Sequence, residues 1–237
     1  MQAGTVPRHH RSSGRSRGMP LLPVAIIGLV ALIALLALTF RSSLPFLSDP
    51  PAPYGTTLPG AFLYQQQRGL SCEYASVHIA TTMTGQAVSE YAFDDVVPLN
   101  ENPHLGYRGN IHGEWGNTTD YGVYNGPLET ALTQFGVQSD AFYAVGDRTA
   151  LTYELDLGRP VVVWLALWGA DGSFDAYSAD GTRYQLTQGM HVMTAYGYDE
   201  TGVYLTDPGT AVYQFYDWQE FMWMWDIMDG MGLSVHP

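Results

Sequence analysis

Gln66-Gln67-Arg68-Gly69-Leu70-Ser71-Cys72-Glu73-Tyr74-Ala75-Ser76, residues 66–76, holds the only cysteine of 237 residues and places it where a helix begins. Ser71 stands at the capping position of a run from Cys72 to Thr84, in which Ala75, Ile79 and Met83 share a stripe and Gly85 is the stop. Backbone N–H groups in the first turn of a helix have no intrahelical partner and favour negative charge, so a thiol placed there is drawn toward thiolate. That effect is only about 1 kcal/mol. A thiol nucleophile therefore needs an imidazole to hold the thiolate and protonate a leaving amine, and a third group to orient the imidazole. The competing reading is a buried, inert cysteine that packs as a small hydrophobe.

The helper groups are sought downstream. Of seven histidines, His9 and His10 fall in a basic tail and His236 at the chain end, while His78 lies on the Cys72 helix six residues on, roughly on the opposite face. His104 and His112 sit in a glycine-rich stretch and remain open. His191 begins the apolar run Met190–Tyr198, and Val203–Thr206 follows across the turn residues Asp199–Gly202, a hairpin pattern that ends at Asp207. Antiparallel pairing can bring His191 and Asp207 to one end of a sheet. From the residues alone, His191 is as readily a structural histidine as a base.

Ser89 begins a short helix before Pro98. Asn125 and Pro127 open a third that stops at Gly136, and Asp147 opens a fourth that stops at Gly158. Pro160 then precedes VVVWLALW, a continuous apolar run suited to a buried strand. Val212–Tyr216 reads as a further strand, and Asp217 caps a terminal helix whose tryptophans read as core, with Trp164 and Trp168 in the same role. Helices first and a mostly antiparallel sheet second indicate an α+β domain over residues 60–237. The intervening stretch NPHLGYRGNIHGEWGNTTDYGVYNGP is long for a loop in a compact domain, and such loops are commonly functional. Its aromatics Tyr107, Trp115, Tyr121 and Tyr124 point to an ordered groove for an extended substrate.

Upstream, residues 1–20 carry arginines and no acid. Residues 21–40 are uncharged over a length suited to crossing a hydrocarbon core, and residues 41–59 are proline-rich and read as a stiff spacer. The arginine bias puts the tail in the cytoplasm and the domain outside, on an uncleaved single-pass anchor. All 23 acidic residues follow the anchor, the net charge is −13 and there is no lysine. Such a surface disfavours nucleic acid. It either keeps the domain soluble or suits a cationic substrate.

Gln66 and Cys72 six residues apart, a helix, then His191 and, sixteen residues on, Asp207 in Thr-Asp-Pro-Gly resemble the papain-superfamily cysteine peptidases of family thirty-nine, related to domains that cut double-glycine leader peptides from bacteriocins. NPHLGYRGNIHGEWG with DYGVYNGP resembles the stand-alone, membrane-anchored bacterial branch. The resemblance covers residues 60 to the end and implies a papain-like fold acting on a peptide or protein. It implies Cys72 as nucleophile, His191 as base and then acid, Asp207 as orienting group, and the Gln66 amide with the Cys72 N–H as oxyanion donors. Gln65 and Gln67 flank that glutamine, and only the six-residue spacing selects Gln66. No transporter region accompanies the domain, so the exporter-coupled substrate does not transfer.

Other readings compete. Cysteine amidases of cell-wall peptides share the Cys-on-helix, His-on-strand plan, and acyl transfer shares the acyl-enzyme. A non-catalytic peptide- or glycan-binding module has no need to keep Cys72, His191, Asp207 and Gln66 together. A metal site from His104, His112, Glu114 and Asp120 matches no established ligand spacing, so neither metal nor other cofactor is expected.

Overall fold

A computed structural model describes residues 54–167 and 172–237. The span expected at 21–40, the basic tail, most of the spacer and Trp168 lie outside them. Among the described residues no helix is long and apolar enough to cross a membrane.

The run after Pro160 forms β3 (Val161–Ala166), buried at every position. It pairs antiparallel with β6 (Met190–Asp199) on one side and β9 (Met231–Val235) on the other. β2 (Ser139–Tyr143) extends the sheet beyond β9, and β7 (Gly202–Asp207) and β8 (Val212–Asp217) extend it beyond β6, giving the order β2-β9-β3-β6-β7-β8. β1 (Gly55–Thr57) pairs with β6 at Gly197–Asp199, beyond the last β3 partner at Ala195. β4 (Ser173–Tyr177) and β5 (Arg183–Thr187) make a separate hairpin. Every pairing between named strands is antiparallel.

A strand with no polar face must be covered twice, because successive side chains point to opposite sides. Val162, Trp164 and Ala166 join one apolar cluster with Val77 and Ala80 of α1 (Cys72–Met83) and Leu128 and Leu132 of α2 (Asn125–Gln134). Val161, Val163 and Leu165 join a second cluster with Leu151 and Leu155 of α3 (Arg148–Asp156) and Phe221, Met224 and Trp225 of α4 (Trp218–Ile227). Each such side chain contributes about 1.5–3 kcal/mol on burial. Trp164 also donates from Nε1 to the Val123 carbonyl at 3.0 Å, tying the glycine-rich stretch to the sheet. Truncating it to alanine costs about 3–5 kcal/mol.

The fold is a mixed α+β arrangement on an antiparallel sheet, with helices on both faces and not a helical layer followed by a sheet. β1 lies within the stretch read as spacer, so regular structure begins before residue 60. The helix after Ser89 is a 3-10 turn, Glu90–Asp95, which Ser89 caps by accepting from the Tyr91 N–H. Ser71 precedes α1 but makes no side-chain cap; its hydroxyl donates to the Arg68 carbonyl and accepts from the Arg68 N–H. Trp218 and Trp225 are core, whereas Trp223 is 51% exposed.

Candidate active site

The segment leading into α1 is held from below by an ionic knot around the buried side chains of Arg68 and Glu90. Arg68 reaches Glu90 at 3.3 Å and Asp94 at 2.6 Å, and its guanidinium lies 4.6 Å from the centre of the Tyr91 ring. Glu90 also accepts the Gln67 N–H at 3.1 Å and the Tyr64 hydroxyl at 3.1 Å. From above, Tyr107 donates its hydroxyl to the Leu70 carbonyl, and the Leu70 N–H donates to Ile111. A loop fixed at both levels delivers Gln66 and Cys72 to one wall of a cavity of about 450 Å³.

The β6–β7 hairpin supplies further lining of the same cavity. Asp199 closes its turn by accepting from the N–H groups of Thr201 and Gly202, and Thr194 stands opposite Thr206. That register puts His191 and Asp207 at the same end of the sheet, where His191 Nε2 donates to Asp207 Oδ1 at 2.6 Å. Asp207 further accepts the Gly209 N–H at 2.7 Å and the Thr210 hydroxyl at 2.7 Å. Burial by itself would raise its carboxyl, but the bond and charge of His191, with Thr210 and Gly209, together hold it below the usual carboxylate value. With Nε2 committed to Asp207, Nδ1 is the ring nitrogen left for chemistry. Gly209 packs on this pair so closely that a Cβ there would come within 3.0 Å of the imidazole.

Cys72, His191, Asp207 and Gln66 all line this cavity. Gln65 and Gln67 do not; Gln65 turns to the Pro208 and Gly209 carbonyls. The Gln66 Nε2 donates to the carbonyls of Arg68 and Gly69, each at 2.9 Å, and its Oε1 is buried without a partner. Cys72 is 5% exposed, and its thiol is not lowered as the helix position predicts. Burial pushes it well up, the neighbouring Glu73 charge pushes it further, and the backbone N–H of Val192 opposes them. Removal of water outweighs a helix-terminus effect of about 1 kcal/mol.

The four aromatics divide. Trp115 and Tyr121 line the cavity, with the Trp115 Nε1 donating to the Met190 carbonyl at 2.7 Å. Tyr107 and Tyr124 do not reach it: Tyr107 is spent on Leu70, and Tyr124 donates to the Gln185 carbonyl and packs on Tyr121. Leu70, Leu167, Met190, Met193 and Tyr216 complete a largely apolar lining. His112 borders the neighbouring depressions, and His104 packs edge-on against Tyr124. Among the described residues no cluster of three or more metal-ligating side chains occurs.

Sequence reasoning passed over Glu73. Its carboxyl is fully buried beside the sulfur, with Oε2 at 3.4 Å from Cys72 Sγ and Oε1 accepting the Val123 N–H at 2.9 Å. The only sequence signal was an acid immediately after the candidate nucleophile, which reads equally well as an ordinary first-turn acid.

The fold has solved counterparts. The fold is shared with a candidate C39-like peptidase from Bacillus anthracis, at 21% identity and a TM-score of 0.64 over 77% of this chain and 98% of that one. Weaker matches are the peptidase domain of Streptococcus ComA, a bi-functional ABC transporter (15% identity, TM-score 0.45, 75% and 98% covered), and xylellain, a cysteine protease from Xylella fastidiosa (12%, 0.42, 79% and 86%). No curated protein matches the chain. The molecule is a cysteine peptidase. It belongs to the Peptidase_C39 like family, whose model matches residues 61–233.

Proposed function

We propose that this peptidase cleaves peptide bonds through Cys72, His191 and Asp207. The observation that carries the reading is the 2.6 Å bond from His191 Nε2 to Asp207 in a cavity that the sole cysteine also lines. In this reading His191 Nδ1 takes the thiol proton, giving a thiolate and an imidazolium that Asp207 stabilises. Sulfur attacks the substrate carbonyl carbon and the C=O electrons move to oxygen. The tetrahedral intermediate collapses by expelling the amine, which receives the proton from His191. Water, deprotonated by the same nitrogen, then hydrolyses the thioester.

The developing oxyanion needs donors. The Cys72 backbone N–H at the start of α1 is one, and Gln66 is the second. Its amide hydrogens point to the Arg68 and Gly69 carbonyls, so substrate must draw one of them into the cavity. That step exchanges one hydrogen bond for a charge-assisted one, which is the stronger.

Trp115, Tyr121, Leu167, Met190 and Met193 suit an apolar substrate side chain next to the scissile bond. Residues 21–40 serve as a single-pass membrane anchor with the N-terminus cytoplasmic, and the domain acts on the far side on a peptide or protein. Comparison of peptides released from a defined library by wild type and by Cys72→Ala tests the reaction. Products should appear with wild type alone; equal product profiles from two folded proteins would remove Cys72 from the chemistry.

A further inference from the structure

Glu73 is a buried acid that the chemistry above leaves idle, and it touches the reacting sulfur. Its two oxygens are held apart, one toward Cys72 Sγ at 3.4 Å and one on the Val123 N–H at 2.9 Å. The backbone of Gly122 presses against it: φ is +137° there, and a Cβ would lie 1.8 Å from Glu73 Oε1. The carboxyl thus fits where it does because residue 122 carries no side chain.

The ionisable groups that feel its charge are Cys72 and Tyr74 on α1 and Tyr107 and Tyr121 on the glycine-rich connection, all of them acids. Arg68 acts on Tyr74 and Tyr107 but is not among the groups that shift Glu73. The base of the cavity is His191, on β6. With no cation among the described residues offsetting its loss of water, the Glu73 carboxyl is pushed up to about 7, burial being the main cause and the hydrogen bonds to it opposing.

We propose that Glu73 acts in its protonated form as a hydrogen-bond donor to the Cys72 thiolate, and that loss of its proton turns the nucleophile off. The inference rests on the roles given above to Cys72 and His191. In the active state the sulfur is a thiolate, His191 an imidazolium and Glu73 a neutral acid whose O–H donates to sulfur. When Glu73 gives its proton to solvent, a carboxylate faces the sulfur, the imidazolium proton returns to sulfur, and thiol, neutral imidazole and carboxylate remain. One proton leaves in total, and no electrons are transferred. Glu73 is therefore a catalytic residue in the strict sense, in contact with the attacking atom.

Glu73→Gln tests this, because the amide keeps an oxygen for the Val123 N–H and an N–H for sulfur but cannot ionise. The readout is the rate of iodoacetamide labelling of Cys72 from pH 5 to 9, alongside kcat/KM on a cleaved peptide. The wild-type rate should fall as pH passes about 7 and lie roughly 30-fold below its acid plateau 1.5 pH units higher. The Glu73→Gln rate should stay within about threefold over that interval. Parallel profiles for the two proteins would overturn the proposal. Should the variant misfold, wild type alone decides: the infrared C=O stretch of a buried neutral carboxyl must be present at pH 6 and vanish with the midpoint of the labelling profile, and its absence at pH 6 overturns the proposal. Peptide cleavage that survives Cys72→Ala would instead defeat the assignment of the nucleophile. Cleavage that needs Cys72 but has the same pH dependence in wild type and Glu73→Gln defeats this inference alone.

Discussion

Replacing Asp207 by alanine strips His191 of the partner that fixes both its orientation and its charge. The lost bond is a 2.6 Å contact between nitrogen and a carboxylate, and hydrogen bonds to charged groups contribute about 1.5–3 kcal/mol. At about 1.4 kcal/mol per tenfold in rate, kcat/KM should fall about 10- to 150-fold. The same change orphans the Gly209 N–H and the Thr210 hydroxyl, so some stability is lost as well. Asp207→Asn separates the two effects: its oxygen still accepts from nitrogen while the charge is gone, so activity should fall with stability largely kept. Because the folded Asp207 carboxyl lies below its ordinary value, its contribution to stability is complete above about pH 3.9 and is lost as pH falls through the depressed folded value. The alanine variant's stability deficit should accordingly close in strong acid. The assay is kcat/KM on a cleaved peptide, paired with denaturant unfolding between pH 2 and 7. If both variants fold and both stay within threefold of wild type, Asp207 has no part in the reaction.

Gln66→Ala should lower kcat by about a hundredfold with little change in KM, since an oxyanion donor acts in the transition state; a change confined to KM would make Gln66 a ground-state contact. Arg68→Ala leaves Glu90 buried without a counter-charge and should cost about 3–5 kcal/mol in denaturant unfolding; a loss below 1 kcal/mol would show that the ionic knot does not hold the segment before α1. Gly122→Ala must displace the Glu73 carboxyl or the loop, so it should destabilise the fold and shift the pH profile of Cys72 alkylation together; an unchanged profile in a destabilised protein would separate the glycine from the thiol.

How much of this could be read in the residues depends on what each signal competes with. Val161–Ala166 and the hairpin around Asp199–Gly202 were legible because a continuous β-branched run and a polar turn admit few alternatives, and that hairpin fixes His191 and Asp207. β2 and β9 were not, since Ser139–Tyr143 and Met231–Val235 are five residues each, and Gly232 lacks a side chain to mark a face. β1 was hidden among prolines and exists because β6 outruns β3 beyond its bulge at Ala195–Gly197 and leaves an edge to be paired. Tyr107 and Tyr124 look the same in sequence as Trp115 and Tyr121. Only the fold decides which hydroxyl meets a backbone carbonyl and which ring meets the cavity. Glu73 was invisible because charged side chains are seldom fully buried, and nothing within α1 reveals that residues 122 and 123 close over it.

Capture of the acyl-enzyme shows directly whether Cys72 is the nucleophile. Wild type mixed with a cleaved peptide and quenched in acid within one turnover should gain the mass of the acyl fragment, held as a hydroxylamine-labile thioester that fragmentation places on Cys72. Turnover with no adduct at that sulfur, and persisting in Cys72→Ala, would remove Cys72 as the nucleophile.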